Sequence, residues 1–325
     1  MTEIFDLALL ESVLRALTPV LLAALGGLLC EKAGVFNIGL EGFMLVGCFA
    51  AVAGSWFGGD AWIGVITAVL AGMLMAAILS FASVTLGADA IIVGIALNLL
   101  AVGLTSFLVR TVLGAQGTFQ NPALDGLPIF LSQSPLAYLS WALVPICVVF
   151  LRRTVWGFRM QGVGEVPSAA RSLGVNTKRY QHAAVLASGA LCGLAGAQLA
   201  LGNVVLFSEN MTAGRGWVAV VVVMLGQAAP VGTLVAALLF AVTEAVGFRL
   251  QGLGLPSQFT TAAPYVITLA ALVVVSVRRR TLNLRRARGG DRGASSDSGT
   301  TPARPTDLPE PETRATVFQG ETYVS

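Results

Sequence analysis

The residues of this sequence most suited to chemistry lie in one short segment, 31–47. It places the amide of Asn37 and the carboxylate of Glu41 among four glycines at the start of an otherwise apolar run. An ionised carboxylate is costly in hydrocarbon, and so dense a set of glycines loosens a helix. A lipid-facing Glu41 is therefore disfavoured. With Asn37 four residues earlier on the same helical face, the pattern predicts that both side chains line a polar path through a bilayer. The alternative for Glu41 is a structural role at a junction between helices, bonded to a neighbouring helix end.

Two other polar residues fall well inside apolar runs. Glu244 either plays a structural role, bonded to a neighbouring helix end, or takes part in function. Asn98 lies in the middle of the run 91–108, where a lone amide either lines a path or holds two helices together by hydrogen bonds. Both interpretations of Asn98 remain open at this point.

The elements that must position these residues are membrane spans. Of the 325 residues, 55% are hydrophobic and only 11% are charged, which excludes a soluble globular domain. Apolar runs of about 20 residues recur, the length that a helix needs to cross a bilayer. The predicted spans are Val13–Cys30, Ile38–Phe57, Ala61–Leu86, Ala90–Val109, Leu136–Leu151, His182–Phe207, Trp217–Leu225, Val231–Phe248 and Phe259–Val277.

The run 217–248 is predicted to be two helical pieces, because Gly226 and Pro230 interrupt it. A similar interruption by glycines is predicted for the region 37–47. Paired interruptions of this kind in the two halves of a chain are typical of transport proteins with pseudo-symmetric repeats.

Two basic clusters indicate the orientation, since Lys and Arg accumulate in cytoplasmic loops. Segment 111–135 contains neither Lys nor Arg and is expected to lie outside, which places the N-terminus outside as well. The clusters are Arg152, Arg153, Arg159, Arg171, Lys178 and Arg179 in one loop, and Arg278, Arg279, Arg280, Arg285, Arg286 and Arg288 after the last span.

The cytoplasmic loop 152–181 contains a predicted short helix. Pro167 occupies its first turn and Gly174 ends it, the usual positions of these two residues at helix termini. The helix is either a simple connector or a docking element that presents Ala169, Ala170 and Leu173 to a partner.

Enzymatic motifs are missing from the sequence. It has no GxxxxGK[ST], HExxH or GxSxG pattern, and its single histidine, His182, lies at a membrane boundary. The four cysteines have no metal-binding spacing, which predicts that they pack in the core. No catalytic residue, cofactor or metal is expected, and any energy source belongs to another chain or to an ion gradient.

Four ordered blocks carry a family resemblance. Segment 31–42 resembles the signature of the nucleoside and simple-sugar ABC permeases, part of the branched-chain amino acid and ribose transporter group. Segments 87–98, 163–175 and 207–216 are similar to further blocks of that family. The resemblance extends over about 14–277.

The resemblance implies an all-α integral membrane fold, a polytopic bundle of about 8–10 transmembrane helices with broken helices, like a type II ABC importer permease. It also implies an ABC ATPase, a second related permease and a substrate-binding lipoprotein as partners in the plasma (inner) membrane, and no nucleic acid. The helix of loop 152–181 then becomes the ATPase-coupling helix, formed by Glu165, Ser168, Ala169, Ala170, Arg171 and Leu173. The path candidates are Asn37, Glu41 and Asn98.

The expected function is a permease for nucleosides within an ATP-driven importer. The alternatives are an importer of simple sugars or branched-chain amino acids, and a gradient-driven carrier or channel. The expected organisation is an N-terminal segment (1–12), a permease domain (13–277) and a tail (278–325) that is basic and then disordered from about Gly289 because it is nearly devoid of apolar residues.

Overall fold

The structure is a computed structural model that describes residues 7–251. The first six residues, the predicted span Phe259–Val277, the second basic cluster and the predicted tail lie outside the described residues. The described part is a bundle of helices with one short pair of strands. Its elements are α1 (Leu7–Lys32), α2 (Leu40–Gly58), α3 (Ala61–Ser80), α4 (Ala90–Val112), β1 (Thr118–Phe119), α5 (Pro135–Arg153), α6 (Val155–Glu165), α7 (Pro167–Ser172), α8 (Thr177–Ala197), β2 (Phe207–Ser208), α9 (Arg215–Leu225) and α10 (Pro230–Gln251).

Seven of the described helices are long and apolar enough to cross a membrane. They correspond to seven of the nine predicted spans, so the polytopic all-α architecture is confirmed. The predicted span Trp217–Leu225 is the shorter helix α9. Two of them continue as π-helix: α3 through Phe81–Thr85 and α8 through Gln198–Val204. The predicted division of 217–248 into two pieces is also confirmed, because α9 ends at Leu225 and α10 begins at Pro230.

One expectation about α2 was wrong. The helix begins only at Leu40, and residues 33–39 form a non-helical connector after α1. Asn37 favours a non-helical turn just before α2, because its Oδ1 accepts a hydrogen bond from the Gly39 N–H at 2.9 Å. Asn37 and Glu41 therefore do not share a helical face, and the interruption lies before α2 and not within it.

The loop 152–181 is more helical than the sequence suggested. The predicted short helix is present as α7, with Pro167 at its start and Gly174 (φ +76°) just past its end. A second helix, α6, precedes it and had not been predicted. The Thr154 side chain starts α6 by accepting a hydrogen bond from the Gly157 N–H at 3.0 Å.

The bundle has two distinct ends. At the α6 end, the last turns of α1 and α6 and the turn between α9 and α10 surround one cleft. At the opposite end, here called the strand end, β1 pairs with β2, and Gln133 Nε2 donates to the Glu11 carbonyl near the start of α1 at 3.3 Å. Successive long helices therefore run alternately between the two ends.

Helices α9 and α10 form an antiparallel hairpin. Residues 226–229 join them, and Gln227 and Ala228 adopt positive φ values of 58° and 49° in this turn. The helix α9 has only 11 residues, about 16 Å, too few to cross about 30 Å of hydrocarbon. Residues 209–214, between β2 and α9, are not helical. The chain thus enters α9 from within the bundle.

Small residues allow α8 to pack closely on its neighbours. A Cβ at Gly193 would meet the Ala68 carbonyl carbon at 2.8 Å and Val69 Cα at 2.9 Å, both backbone atoms of α3. Gly189 and Gly72 meet in the same way. Such close approach of two helices through small residues is common in membrane bundles. The four cysteines are buried, as expected.

We predict that Gly193→Ala lowers the stability of the folded bundle by about 1–3 kcal/mol, because backbone atoms of α3 cannot move aside easily. Thermal unfolding followed by size-exclusion chromatography in detergent measures the change. Gly103→Ala is the matched control, since a Cβ at Gly103 meets nothing within 4 Å. Equal unfolding temperatures for the two variants would contradict the close packing of α3 and α8.

Candidate functional site

Glu41 is the second residue of α2, and only 7% of it is exposed. Its position follows from the local turn that Asn37 makes with Gly39, which orients the chain before the first helical residue, Leu40. The carboxylate therefore leaves the helix within the first turn and points into the bundle, toward the start of α9. The sequence prediction that Glu41 avoids lipid agrees with this burial.

Three donors surround the Glu41 carboxylate. Oε1 accepts from Thr212 Oγ1 at 2.6 Å and from the Gly214 N–H at 2.9 Å. Oε2 accepts from the Gly216 N–H at 2.6 Å. These groups are at the N-terminus of α9, whose first N–H groups lack partners within the helix and carry partial positive charge. A side chain from one helix thus caps the start of another.

The cap leaves little room around Glu41. A Cβ at Gly216 would lie 2.7 Å from Glu41 Oε2, which explains why glycine stands at the second position of α9. Charge-assisted hydrogen bonds from backbone N–H groups are among the stronger ones in proteins. The arrangement therefore holds α2 and α9 in a fixed relation.

A partly buried ion pair lies beside this cap. Arg215 Nη2 donates to Glu244 Oε1 at 2.6 Å, and about a fifth of each side chain is exposed. The pair joins the first residue of α9 to α10, and Arg215 Nη1 also approaches the Thr212 carbonyl at 3.4 Å. Glu244 thus has a partner at a neighbouring helix end, which matches the structural one of the two interpretations of its sequence position.

Asn98 joins α4 to the start of α2. Its Nδ2 donates to the Ile38 carbonyl at 3.1 Å, and its Oδ1 accepts from the Gly42 N–H at 2.8 Å. Both ends of the amide are therefore engaged with backbone groups on either side of Leu40. These contacts match the interpretation of Asn98 as a residue that holds two helices together.

Asn37 joins the same region to α8. Its Nδ2 donates to Ser188 Oγ at 3.1 Å, while its Oδ1 bonds the Gly39 N–H. Asn37, Glu41 and Asn98 thus come together around the first turn of α2, each bonded to a different helix. We call this cluster, with Ser188, Thr212 and the first turn of α9, the Glu41 junction. Whether its residues line a transport path stays a prediction.

Sequence reasoning missed the partners in the junction. Ser188, Thr212 and Arg215 had received no role, although 207–216 had been noted as a family block. A usable signal was the order Gly214-Arg215-Gly216 immediately before an apolar run, because unpaired N–H groups at a helix start inside a bundle need an acceptor.

The predicted coupling residues lie together at the α6 end. Glu165, Ser168, Ala169, Arg171 and Leu173 are exposed, and Leu173 is 83% exposed. Ala170 differs from the expectation, because it is 7% exposed and packs in the core of its own chain. Ala169 and Leu173 therefore remain as the apolar side chains that α7 presents outward.

A shallow apolar groove runs between α6 and α7. It has a volume of about 310 Å³, and its walls include Phe158, Val166, Ala169 and Leu173. Phe158 is 60% exposed, which is unusual for a large apolar side chain on a loop rich in charge. The groove and its basic surroundings form the second candidate site of the chain.

We predict that Glu41→Gln lowers the free energy of unfolding by about 2 kcal/mol. The three donors lose a charged acceptor, and the amide N–H₂ of glutamine, itself a donor, faces some of them. The measurement is reversible unfolding in mixed detergent micelles. Glu209→Gln is the matched control: its pairing with Arg110 is at 3.3 Å and largely exposed, so its loss costs less than about 1 kcal/mol. Similar small effects for both variants would contradict the junction's structural importance.

Comparison with known proteins gives a family and several relatives. The model of the family described as branched-chain amino acid transport system / permease component matches residues 9–276. A Haloferax volcanii protein, named provisionally as a glucose ABC transporter permease, is 33% identical over 86% of this chain and 95% of its own length. A guanosine ABC transporter permease of Bacillus subtilis is 32% identical over 78% of this chain and 87% of its own.

A nucleoside ABC transporter permease of Lactococcus lactis is 33% identical over 79% of this chain and 88% of its own length. The family match covers both the Glu41 junction and the groove between α6 and α7. With these relatives and its apolar spans, the chain is a multi-pass membrane protein that belongs to the permease family of the branched-chain amino acid transport systems.

Proposed function

We propose that this chain is the permease subunit of an ATP-driven ABC importer and that it forms the translocation path for nucleosides. The observation that carries the proposal is the similarity, over most of the chain, to permeases of guanosine and nucleoside transporters. The protein is a transport component, and ATP hydrolysis belongs to a separate ATPase chain. A substrate-binding lipoprotein and a second related permease complete the proposed complex.

The charges of the described spans favour a neutral solute. The Glu41 carboxylate already accepts hydrogen bonds from three donors at the start of α9, and Arg215 is paired with Glu244. Each of these three charged groups within residues 7–251 therefore already has a partner. A nucleotide would bring about two negative charges into this environment, and an unpaired charge there costs several kcal/mol. A nucleoside brings none.

A simple sugar is the second candidate solute, because one relative carries glucose in its name. A sugar is also neutral and rich in hydroxyl groups, so the charge argument does not separate it from a nucleoside. A branched-chain amino acid is disfavoured, since its ammonium and carboxylate both need partners. Much of the choice among neutral solutes rests with the binding protein.

The α6 end is proposed to face the cytoplasm. It carries the first basic cluster, 152–179, in α5, α6, α7 and the start of α8. The strand end then faces outward, toward the binding protein, together with the beginning of α1. This assignment places the N-terminus outside and agrees with the alternating direction of the long helices.

The groove between α6 and α7 is the proposed docking site of the ATPase. It is apolar, lies at the basic end and is closed on one side by the exposed Leu173 and Ala169. An ATPase that closes on nucleotide binding would displace α7 and bias which side of the permease is open. A gradient-driven carrier has no need for such a surface.

We predict that Ala169→Asp with Leu173→Asp uncouples transport, because both changes place charge in an apolar contact. The double variant should insert and purify normally but lose ATPase co-purification and at least about 90% of uptake, as expected for loss of a central contact. The control is Ala169→Ser with Leu173→Met, which keeps the size of the contact. Full uptake and co-purification by the aspartate variant would rule out this docking surface.

We also predict that the complete transporter in proteoliposomes takes up labelled uridine or adenosine with ATP hydrolysis. Other nucleosides should compete, while nucleotides should not, because of their charge. Glucose competition in the same assay decides between the two candidate solutes. Uptake of glucose without nucleoside competition would overturn the nucleoside assignment and leave the importer proposal intact.

A further inference from the structure

Two glycines bring α6 against the connector that follows α1. A Cβ at Gly164, in the last turn of α6, would overlap the Lys32 carbonyl oxygen and lie 2.9 Å from the Gly34 nitrogen. A Cβ at Gly34 would lie 3.0 Å from Gly164 Cα. The two backbones therefore touch without intervening side chains, so the contact is tightly packed.

The conformation of Gly34 is fixed on the α1 side. Its N–H donates to the Glu31 carbonyl at 3.1 Å, and the Val35 N–H donates to the Cys30 carbonyl at 3.0 Å. This is the hydrogen-bond pattern that ends a helix with a left-handed residue, and Gly34 has φ +76°. The connector consequently leaves α1 in one defined direction.

On the other side of the contact, backbone hydrogen bonds join α6 to α7. Only Val166 separates them, and its N–H still donates to the Gly162 carbonyl at 3.1 Å. The Ala170 N–H donates to the Val166 carbonyl at 3.1 Å, and Ala170 itself is buried. A displacement of α7 is therefore carried to the end of α6, where Gly164 lies.

The connector leads directly to the Glu41 junction. Asn37 follows Gly34 by three residues and bonds Ser188 of α8, and Glu41 follows Asn37 by four and caps α9. Few freely rotating residues separate the Gly34–Gly164 contact from the start of α9. The route consists of the Gly34–Gly164 contact, the short connector itself and the hydrogen bonds of Asn37 and Glu41.

An open cleft adjoins this contact, because Lys32 and Gly164 both line it. Its volume is about 460 Å³, and its walls include Glu31, Gln161, Met224 and Gln227. The turn between α9 and α10 forms one wall and the end of α6 another. The cleft leaves room for the α9–α10 hairpin to move relative to α6, whereas the glycine contact leaves none between α6 and the connector.

We propose that Gly34 and Gly164 are positioning residues that transmit the displacement of α7 to the Glu41 junction, and thereby to the α9–α10 hairpin. This inference rests on the proposed function, since the ATPase supplies the displacement. The glycine contact transmits the motion because it is packed, and the adjoining cleft accommodates it because it is open. A side chain at Gly164 would push the connector away from α6 and break the transmission.

The test uses the complete transporter with Gly164→Ala in the permease. The ATPase should co-purify and hydrolyse ATP at near the wild-type rate, while solute transported per ATP hydrolysed falls about tenfold. Gly103→Ala, with open space around its Cβ, should keep the wild-type ratio. A wild-type ratio in Gly164→Ala would overturn the proposal. An ATPase that fails to co-purify with the unmodified permease would instead refute the proposed function.

A second measurement needs no substitution and serves if Gly164→Ala does not fold. Hydrogen exchange of the wild-type complex is compared with and without trapped ATP. Amides of the connector, 33–39, should change their exchange rates together with those of α6 and α7, because one contact links them. Changes in α6 and α7 without any change in the connector would overturn the proposal.

Discussion

The hydrogen bonds between the Glu41 carboxylate and the first turn of α9 are the interaction on which the rest of the structure depends. A helix that starts inside an apolar bundle exposes N–H groups that neither lipid nor water can satisfy. Glu41 supplies the acceptor and the compensating charge from α2. Several neighbouring features support this contact: the glycines at positions 214 and 216, the local turn at Asn37 and the ion pair of Arg215.

The junction also explains why two helices begin within the bundle. Helix α2 starts after a connector that returns from the α6 end, and α9 starts after a non-helical stretch that descends from β2. Irregular backbone is tolerated at such depth only where protein groups satisfy it, and the side chains of Asn98 and Asn37 do so beside Glu41. Discontinuous helices of this kind are typical of transporters that alternate between two open states.

Local features of the fold could be predicted from the sequence, and long-range features could not. The spans followed from the lengths of apolar runs, and α7 followed from Pro167 and Gly174, because these signals act within a few residues. The partners of Glu41 could not be predicted, since Thr212 lies 171 positions away and only the packing of α2 on α9 brings it near. The prediction that Asn37 lies on the same helical face as Glu41 was wrong for a local reason. The Asn37 side chain bonds the Gly39 N–H, and α2 begins only after this turn.

The central claim is that Glu41 and the N-terminal segment of α9 act as one unit. A double-mutant cycle with Glu41→Gln and Thr212→Val tests it most directly, because Thr212 Oγ1 donates to Glu41 Oε1 at 2.6 Å. The free energies of unfolding of the wild type, both single variants and the double variant are measured under the same detergent conditions. We expect a coupling of about 1–2 kcal/mol, as found for groups that share a buried network. Effects that add within about 0.3 kcal/mol would contradict the account.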